Sequence, residues 1–176
     1  MPELAGSQTE KNLAAAFARE SQTRNLYDFY SAVAKKEGFE QLMGLFASFA
    51  EHERVHAQRL LKLLGRAPTE LLASGPAALI GKSLENLRTA VAIEREDAER
   101  QYPEFARVAA AEGFDMAAKA FAALAVADGY HLRQLAAQLA LHEQQSVFHR
   151  EEPIDWVCRK CGYVHHGNDA PEMCPG

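Results

Sequence analysis

Residues 39–64 read FEQLMGLFASFAEHERVHAQRLLKLL, and this stretch decides the fold. Its apolar residues recur at steps of three and four, which predicts a helix with one buried face. Glu53 and His56 interrupt that face, one helical turn apart. Because burying a carboxylate without a partner is costly, the pattern indicates a helix that carries possible metal ligands into a core.

The same pattern returns 75 residues further along the chain. The matched pairs are Glu37-Gly38-Phe39 with Glu112-Gly113-Phe114, Phe46 with Phe121, Ala50 with Ala125, and His56 with His131. Such a period is too long for a short solenoid repeat and indicates a duplicated helical hairpin. Two hairpins joined by a long connection make a four-helix bundle, so we predict a mainly α fold.

Glycine and proline mark most of the predicted helix ends. The four helices are expected over about Ser7–Glu37, Phe39–Leu64, Ala77–Glu112 and Phe114–His149. Ser7 and Glu10 have the spacing of a capping box, and Pro103 predicts a break in the third helix. The stretch from Gly65 to Pro76 is expected to be the crossover between the hairpins.

Every predicted helix places an acid on its apolar face. In chain order the set is Glu20, Glu53-x-x-His56, Glu94 and Asp128-x-x-His131. One Glu from each of two helices and an acid-x-x-His from each of the others is the ligand set of di-iron carboxylate bundles. The acids would repel one another unless cations lie between them, so we predict two bound metal ions and assign them as iron.

Several nearby residues have more than one interpretation. Asp97 lies one turn beyond Glu94 and is either an outer ligand or a solvated charge. Tyr27 and Tyr102 are either hydrogen-bond donors to the ligand carboxylates or packing residues. Three further histidines fall outside the pattern and are predicted to lie on the surface: His52, His142 and His149.

A second, small module follows the bundle, and we place the domains at residues 1–150 and 151–176. Its Cys158-x-x-Cys161-Gly motif and Cys174 predict a sulfur site for iron or zinc. Three thiolates leave four possibilities open: the chain continues beyond Gly176, His165 or His166 is the fourth ligand, a partner chain supplies it, or the site is incomplete. Free thiols on a disordered tail are the alternative to a metal site.

Composition excludes several classes of protein. The 176 residues are 48% hydrophobic and carry a net charge of −5, with acids and bases interleaved. This argues against a nucleic-acid surface, and no apolar run suffices to cross a membrane. The N-terminus lacks the features of a secretory signal, and the three cysteines cluster near the C-terminus, so we predict a cytoplasmic protein.

The chain resembles the rubrerythrin family, in which a ferritin-like di-iron domain precedes a rubredoxin-like domain. The matching motifs are Thr9-Glu10-Lys11-Asn12, Glu20-Ser21-Gln22, Ala34-Lys35-Lys36, Glu53-x-x-His56, Tyr102-Pro103-x-Phe105-Ala106 and Cys158-x-x-Cys161-Gly162-Tyr163-Val164-His165. The chain departs from the family at Asp97 and Asp128, where the family has Glu, and the fourth Cys is not among the 176 residues.

The resemblance implies a peroxidase that reduces hydrogen peroxide to water in defence against oxidative stress. It implies electrons from a reductase or rubredoxin, delivered through the cysteine-bound iron, and a homodimer. Glu20 and Glu94 would be terminal ligands, Glu53 and Asp128 bridges, and His131 a ligand of the second iron.

On reduction, one iron of the family exchanges a carboxylate for a histidine, here Asp97 for His56. Tyr27 or a ligand carboxyl would supply protons. An iron-oxidising protein and a non-enzymatic redox sensor are the alternatives.

Overall fold

A computed structural model describes residues 3–65 and 78–176. Its helices are α1 (Gln8–Lys36), α2 (Glu40–Leu64), α3 (Ser83–Glu96), α4 (Tyr102–Ala111) and α5 (Asp115–Glu143). A π-helical turn, Asp97–Gln101, joins α3 to α4 into one rod. Two strands follow, β1 (His149–Val157) and β2 (Val164–Asp169). Helix α1 packs against α2, and α5 packs against the α3–α4 rod, so the predicted four-helix bundle is confirmed.

The repeated Glu-Gly-Phe segments tie the two hairpins together. Glu37 directly follows α1 and accepts a hydrogen bond from the backbone N–H of Ser83, at the start of α3, at 3.0 Å. Glu112 directly follows α4 and accepts hydrogen bonds from the backbone N–H groups of Gln8 and Thr9, at the start of α1, at 3.0 and 2.7 Å. Each glutamate thus satisfies free N–H groups at the start of the other hairpin, where negative charge is favourable.

The π-helical turn accommodates one extra residue. Glu94 follows Glu20 by 74 residues, whereas Tyr102 follows Tyr27 by 75. The rod therefore has one residue more than α1 over this stretch. A hydrogen bond from the Tyr102 N–H to the Asp97 carbonyl spans five residues and absorbs the insertion. The predicted break at Pro103 corresponds to this turn, which lies directly before it.

Two predicted helix bounds were wrong. The rod begins at Ser83, because residues 78–82 lie outside any helix. Helix α5 ends at Glu143 rather than His149, because Gln145 adopts a left-handed conformation with φ of 54° and the Ser146 N–H bonds back to the Leu141 carbonyl. The predicted crossover lies outside the described residues except for Gly65, which ends α2 with φ of 65°.

The C-terminal module is an antiparallel hairpin of β1 and β2. Trp156 pairs with His165, and its indole N–H donates to the Gly167 carbonyl at 2.9 Å. Arg159 lies over Gly44 of α2, where a Cβ would meet its guanidinium at 2.1 Å. Within the described residues, none of the helices combines the length and apolarity that crossing a bilayer requires.

Two apolar clusters fill the bundle, one on each side of a polar layer. The first is built around Tyr27, Tyr30, Phe46, Phe49, Leu87 and Leu135, and the second around Leu13, Leu60, Tyr102, Phe121 and Leu124. Along every helix the predicted ligands lie between members of the two clusters. The acids are therefore enclosed by apolar side chains at both ends, which limits their access to water.

Candidate metal centre

The polar layer contains two overlapping groups of possible ligands. One consists of Glu20, Glu53, His56 and Asp128, and the other of Glu53, Glu94, Asp128 and His131. Within each group the ligand atoms lie within 4.8 Å of one another. Because Glu53 and Asp128 belong to both groups, the layer has the form of two adjacent metal sites with two shared carboxylates.

Glu53 offers one oxygen to each site. Its Oε2 lies 2.8 Å from Nδ1 of His56, and its Oε1 lies 3.1 Å from Nδ1 of His131. Asp128 uses one oxygen for both, since its Oδ1 lies 3.9 Å from His56 and 3.8 Å from His131. The same oxygen of the shorter aspartate is therefore about equally far from the two imidazoles, and Asp128 would be available to an ion at either site.

The buried donor atoms fit metal ions. Glu53 Oε1, Asp128 Oδ1 and His131 Nδ1 are buried without a hydrogen-bond partner in the described chain. Buried polar atoms are normally paired, so unpaired ones on carboxylate and imidazole side chains are positions where metal ions would fit. Carboxylate oxygen and imidazole nitrogen together suit iron, which agrees with the predicted di-iron site.

Burial and mutual repulsion raise the pKa values of two acids in the layer, Glu53 and Asp128. Burial, reinforced by the charge of Glu20, raises the pKa of Glu53 well above its ordinary range. Burial and the charges of Glu20, Glu94 and Glu53 do the same to the pKa of Asp128. Without metal, the layer therefore retains protons that two cations would displace.

His56 partly compensates this repulsion. Burial acts to lower the pKa of His56, but its hydrogen bonds to Glu20 and Glu53 outweigh burial and raise the pKa to about 9. Burial likewise acts to raise the pKa of Glu20, yet hydrogen bonds with Glu53 and His56 leave it lowered. In the metal-free protein, a protonated His56 is thus the internal counter-ion of the cluster.

Two tyrosines orient the terminal carboxylates. The Tyr27 hydroxyl donates to Glu94, and the Tyr102 hydroxyl donates to Glu20. Both rings are completely buried, and burial with the neighbouring carboxylates raises the pKa of each phenol well above 10. Each tyrosine therefore stays protonated and acts as a hydrogen-bond donor across the duplicated hairpins.

Asp97 lies beside the cluster but outside both ligand groups. Its carboxylate pairs instead with the guanidinium of Arg19, and the two side chains are only 6% and 12% exposed. Burial raises the pKa of Asp97 to about 7, against the opposing effect of Arg19. Sequence reasoning missed Arg19, since its spacing alone does not distinguish it from the surface arginines of α1.

The prediction that His52 lies on the surface was wrong. His52 is half-buried, and its Nδ1 lies 3.0 Å from Nε2 of His131. With a metal ion on Nδ1 of His131, its Nε2 would carry the proton and would donate to Nδ1 of His52. His142 is also half-buried, with its ring 4.6 Å from that of Phe39, whereas His149 is exposed as predicted.

We expect His52→Ala to weaken metal binding at the site of His131 by about tenfold, as is usual when a partner that orients a ligand is lost. Competition between the protein and a chelating dye for Zn²⁺ measures the change. His142→Ala is the matched control, because it removes a half-buried imidazole whose Nδ1 contacts the Gln138 carbonyl rather than a predicted ligand. Equal losses in the two variants would mean that His52 has no orienting role.

The three cysteines also come together. Cys161 Sγ and Cys174 Sγ lie 3.4 Å apart, and Cys158, Cys161 and Cys174 place their sulfurs within 4.8 Å of one another. Backbone N–H groups of Cys161 and Lys160 lower the pKa of Cys158 to about 7, which favours its thiolate. His166 contacts Asp155 at 2.8 Å, and neither it nor His165 belongs to this group.

Comparison with known proteins matches both parts of the chain. The rubrerythrin family model covers residues 11–139, and the model of the rubrerythrin rubredoxin-like domain covers residues 156–176. The rubrerythrin of Nitratidesulfovibrio vulgaris is 43% identical over 99% of this chain and 92% of its own length. That of Porphyromonas gingivalis is 47% identical over 98% of this chain and 86% of its own.

Solved structures agree with these matches. Fully reduced, all-ferrous nigerythrin superposes with a TM-score of 0.68 at 26% identity, covering 97% of this chain and 85% of its own. Reduced symerythrin from Cyanophora paradoxa has the same fold, with a TM-score of 0.68 over 77% of this chain. The chain thus has a ferritin-like bundle with a di-iron site and a C-terminal rubredoxin-like metal knuckle, and it belongs to the rubrerythrin family.

Proposed function

We propose that this protein is a non-haem di-iron peroxidase that reduces hydrogen peroxide to water and protects against oxidative stress. The observation that carries the proposal is the pair of overlapping ligand groups with Glu53 and Asp128 in common. Two iron ions bound there would supply the two electrons that convert one peroxide into two waters. In this proposal the metal ligands are Glu20, Glu53, His56, Glu94, Asp128, His131 and, in the small module, Cys158, Cys161 and Cys174.

The side chains of this chain would perform three tasks. Glu53 and Asp128 hold the two sites at a fixed separation, which suits a substrate with two adjacent oxygens. Tyr27 and Tyr102 hold the terminal carboxylates Glu94 and Glu20 in one orientation through their hydroxyl donors. The apolar clusters on both sides exclude water, which strengthens the electrostatic interactions within the layer.

Proton delivery is assigned to the same layer. Reducing peroxide to water consumes two protons, and Tyr27 is the hydroxyl nearest Glu94. Because its pKa is raised well above 10, Tyr27 would pass a proton to the site only if it is reprotonated in the same step. A ligand carboxyl would be the second source.

Turnover would require electrons through the cysteine site. We propose that a reductase or rubredoxin delivers them to an iron ion at Cys158, Cys161 and Cys174. The lowered pKa of Cys158 supports this role, because a thiolate is the form that binds metal. A homodimer, in which one subunit's small module serves the other's di-iron site, belongs to the same proposal.

The decisive experiment is anaerobic. The protein is loaded with two equivalents of Fe(II), and its oxidation by substoichiometric peroxide is compared with that in air-saturated buffer. We expect fast oxidation by peroxide, with one peroxide consumed for two iron ions, and much slower oxidation by dioxygen. Faster reaction with dioxygen would instead indicate an iron-oxidising protein, and no reaction with either would indicate a structural metal site.

One variant distinguishes the role of the di-iron site from that of the cysteine site. Cys158→Ser should leave the single oxidation of the loaded di-iron site unchanged and stop repeated turnover with an electron donor. Lys160→Gln is the matched control, since it changes an exposed side chain between Cys158 and Cys161 and leaves all three thiols in place. If Cys158→Ser turns over at the wild-type rate, electrons do not pass through the cysteine site.

A further inference from the structure

Thr23 carries a buried hydroxyl that no part of the proposed chemistry uses. It lies in α1, one helical turn after Glu20 and one turn before Tyr27, on the buried face of the helix. Thr23 is only 4% exposed, and its Oγ1 is buried without a hydrogen-bond partner in the described chain. A threonine inside a helix usually points to solvent or bonds to the carbonyl four residues earlier. Thr23 does neither, so helix geometry does not account for its hydroxyl.

The duplication of the hairpins places Thr23 beside the metal layer. Glu20 corresponds to Glu94 at an offset of 74 residues, and the same offset takes Thr23 to Asp97, ahead of the inserted residue. Burial raises the pKa of Asp97, and the charges of Glu20 and Glu94 add to this effect, so Asp97 lies close to both carboxylates. By the symmetry of the two halves, Thr23 faces the same two carboxylates from α1.

Other hydroxyls close to the terminal carboxylates already have acceptors. Those of Tyr27 and Tyr102 donate to the carboxylates themselves, and that of Ser21 donates to the Phe17 carbonyl at 2.7 Å. Within the described residues, the Thr23 hydroxyl therefore remains available to a molecule that enters the layer. Burying a hydroxyl without a partner is unfavourable, and such a molecule would supply the partner.

We propose that the Thr23 hydroxyl binds the hydrogen peroxide that enters the metal layer and holds it between the two sites. This inference rests on the proposed peroxidase function. Thr23 lies between Glu20, which belongs to one ligand group, and Tyr27, which donates to Glu94 of the other. A hydroxyl both donates and accepts hydrogen bonds, as hydrogen peroxide does. Dioxygen has no hydrogen to donate and is a weak acceptor, so Thr23 would favour peroxide over dioxygen.

Azide binding tests the inference without turnover. The iron-loaded protein is oxidised in air and titrated with azide, whose terminal nitrogen accepts a hydrogen bond, and the azide-to-iron absorption band gives the dissociation constant. Thr23→Val replaces the hydroxyl by a methyl group of similar size and should weaken azide binding about tenfold. Thr23→Ser keeps the hydroxyl and should bind azide like wild type. Ser21→Ala is the matched control on the same helix, because the Ser21 hydroxyl is bonded to a carbonyl of α1.

Thermal unfolding of the metal-free protein separates ligand binding from a structural role. Thr23→Val should melt at least as high as wild type, because it removes an unpaired buried hydroxyl. A lower melting temperature would mean that the hydroxyl stabilises the fold, and it would overturn the inference.

The azide titration can also contradict the inference. Equal azide affinities of wild type and Thr23→Val would overturn it, as would a wild-type protein that holds two iron ions and gives no azide band. Fewer than two bound iron ions in wild type would overturn the proposed di-iron site and this inference together.

Discussion

Glu53→Gln should abolish binding of the second metal ion and weaken binding of the first by more than about tenfold, because one side chain supplies an oxygen to each site. The same substitution should stabilise the metal-free protein. Burial and Glu20 raise the pKa of Glu53, so its charged form opposes folding, and a neutral amide of similar shape removes that opposition. Metal stoichiometry and thermal unfolding with and without Zn²⁺ measure both effects.

Opposite shifts in melting temperature distinguish a ligand from a structural residue. We expect the metal-free variant to melt a few degrees above wild type, about the shift of 1 kcal/mol in a chain of this size. The zinc-loaded variant should melt below zinc-loaded wild type. Glu51→Gln is the control, because Glu51 is exposed and pairs with Arg54, and it should change neither value. If Glu53→Gln lowers both melting temperatures, Glu53 stabilises the fold directly.

The helices and the ligand positions could be predicted because two independent signals coincide in the sequence. Apolar periodicity defines the buried faces, and polar residues such as Glu53 and His56 stand out against it. Duplication supplies the second signal, since His131 repeats His56 at an offset of 75. The structure brings the six predicted ligands of the di-iron site into one layer: Glu20, Glu53, His56, Glu94, Asp128 and His131.

The π-helical turn had a signal that was not used. The offset between the halves is 74 residues at Glu94 and 75 at Tyr102, so one residue is inserted between them. An insertion inside a helix must appear as a π-turn or a break, and the turn places Asp97 at its first position. Comparing the offsets residue by residue predicts this feature from sequence.

Contacts between helices carried no such signal. The pairing of Arg19 with Asp97 joins residues 78 positions apart, and nothing in their local spacing marks it. His52 was predicted to be exposed because its position lies off the apolar stripe, yet its Nδ1 contacts Nε2 of His131. The end of α5 depends on a left-handed Gln145, a conformation usually marked by glycine. These features follow from tertiary packing rather than from periodicity.

The stability of the metal-free protein should fall as the pH rises from about 5 to about 9, whereas the stabilisation by bound metal should grow. Glu53, Asp128 and Asp97 have pKa values raised in the folded state, the last to about 7, so folding is opposed as the pH climbs above the ordinary carboxyl range. The pKa of His56 is raised to about 9, so its stabilising charge is complete below about 6.5 and lost as the pH rises through about 9.

Glu20, His52 and Cys158 have lowered pKa values and therefore the opposite sign. The contribution of Glu20 is lost only below the ordinary carboxyl range, and His52 and Cys158 are partly exposed, so solvent screens their contributions. The four groups of the buried layer therefore dominate, and the melting temperature in the presence of a chelator should decline with pH. Bound Zn²⁺ replaces the protons of these groups, so its stabilisation should be largest at high pH, where fewer protons compete. Glu53→Gln should flatten the metal-free profile, since it removes one of the four groups. A metal-free melting temperature that rises across this range would mean that the layer is hydrated and that its carboxylates ionise normally.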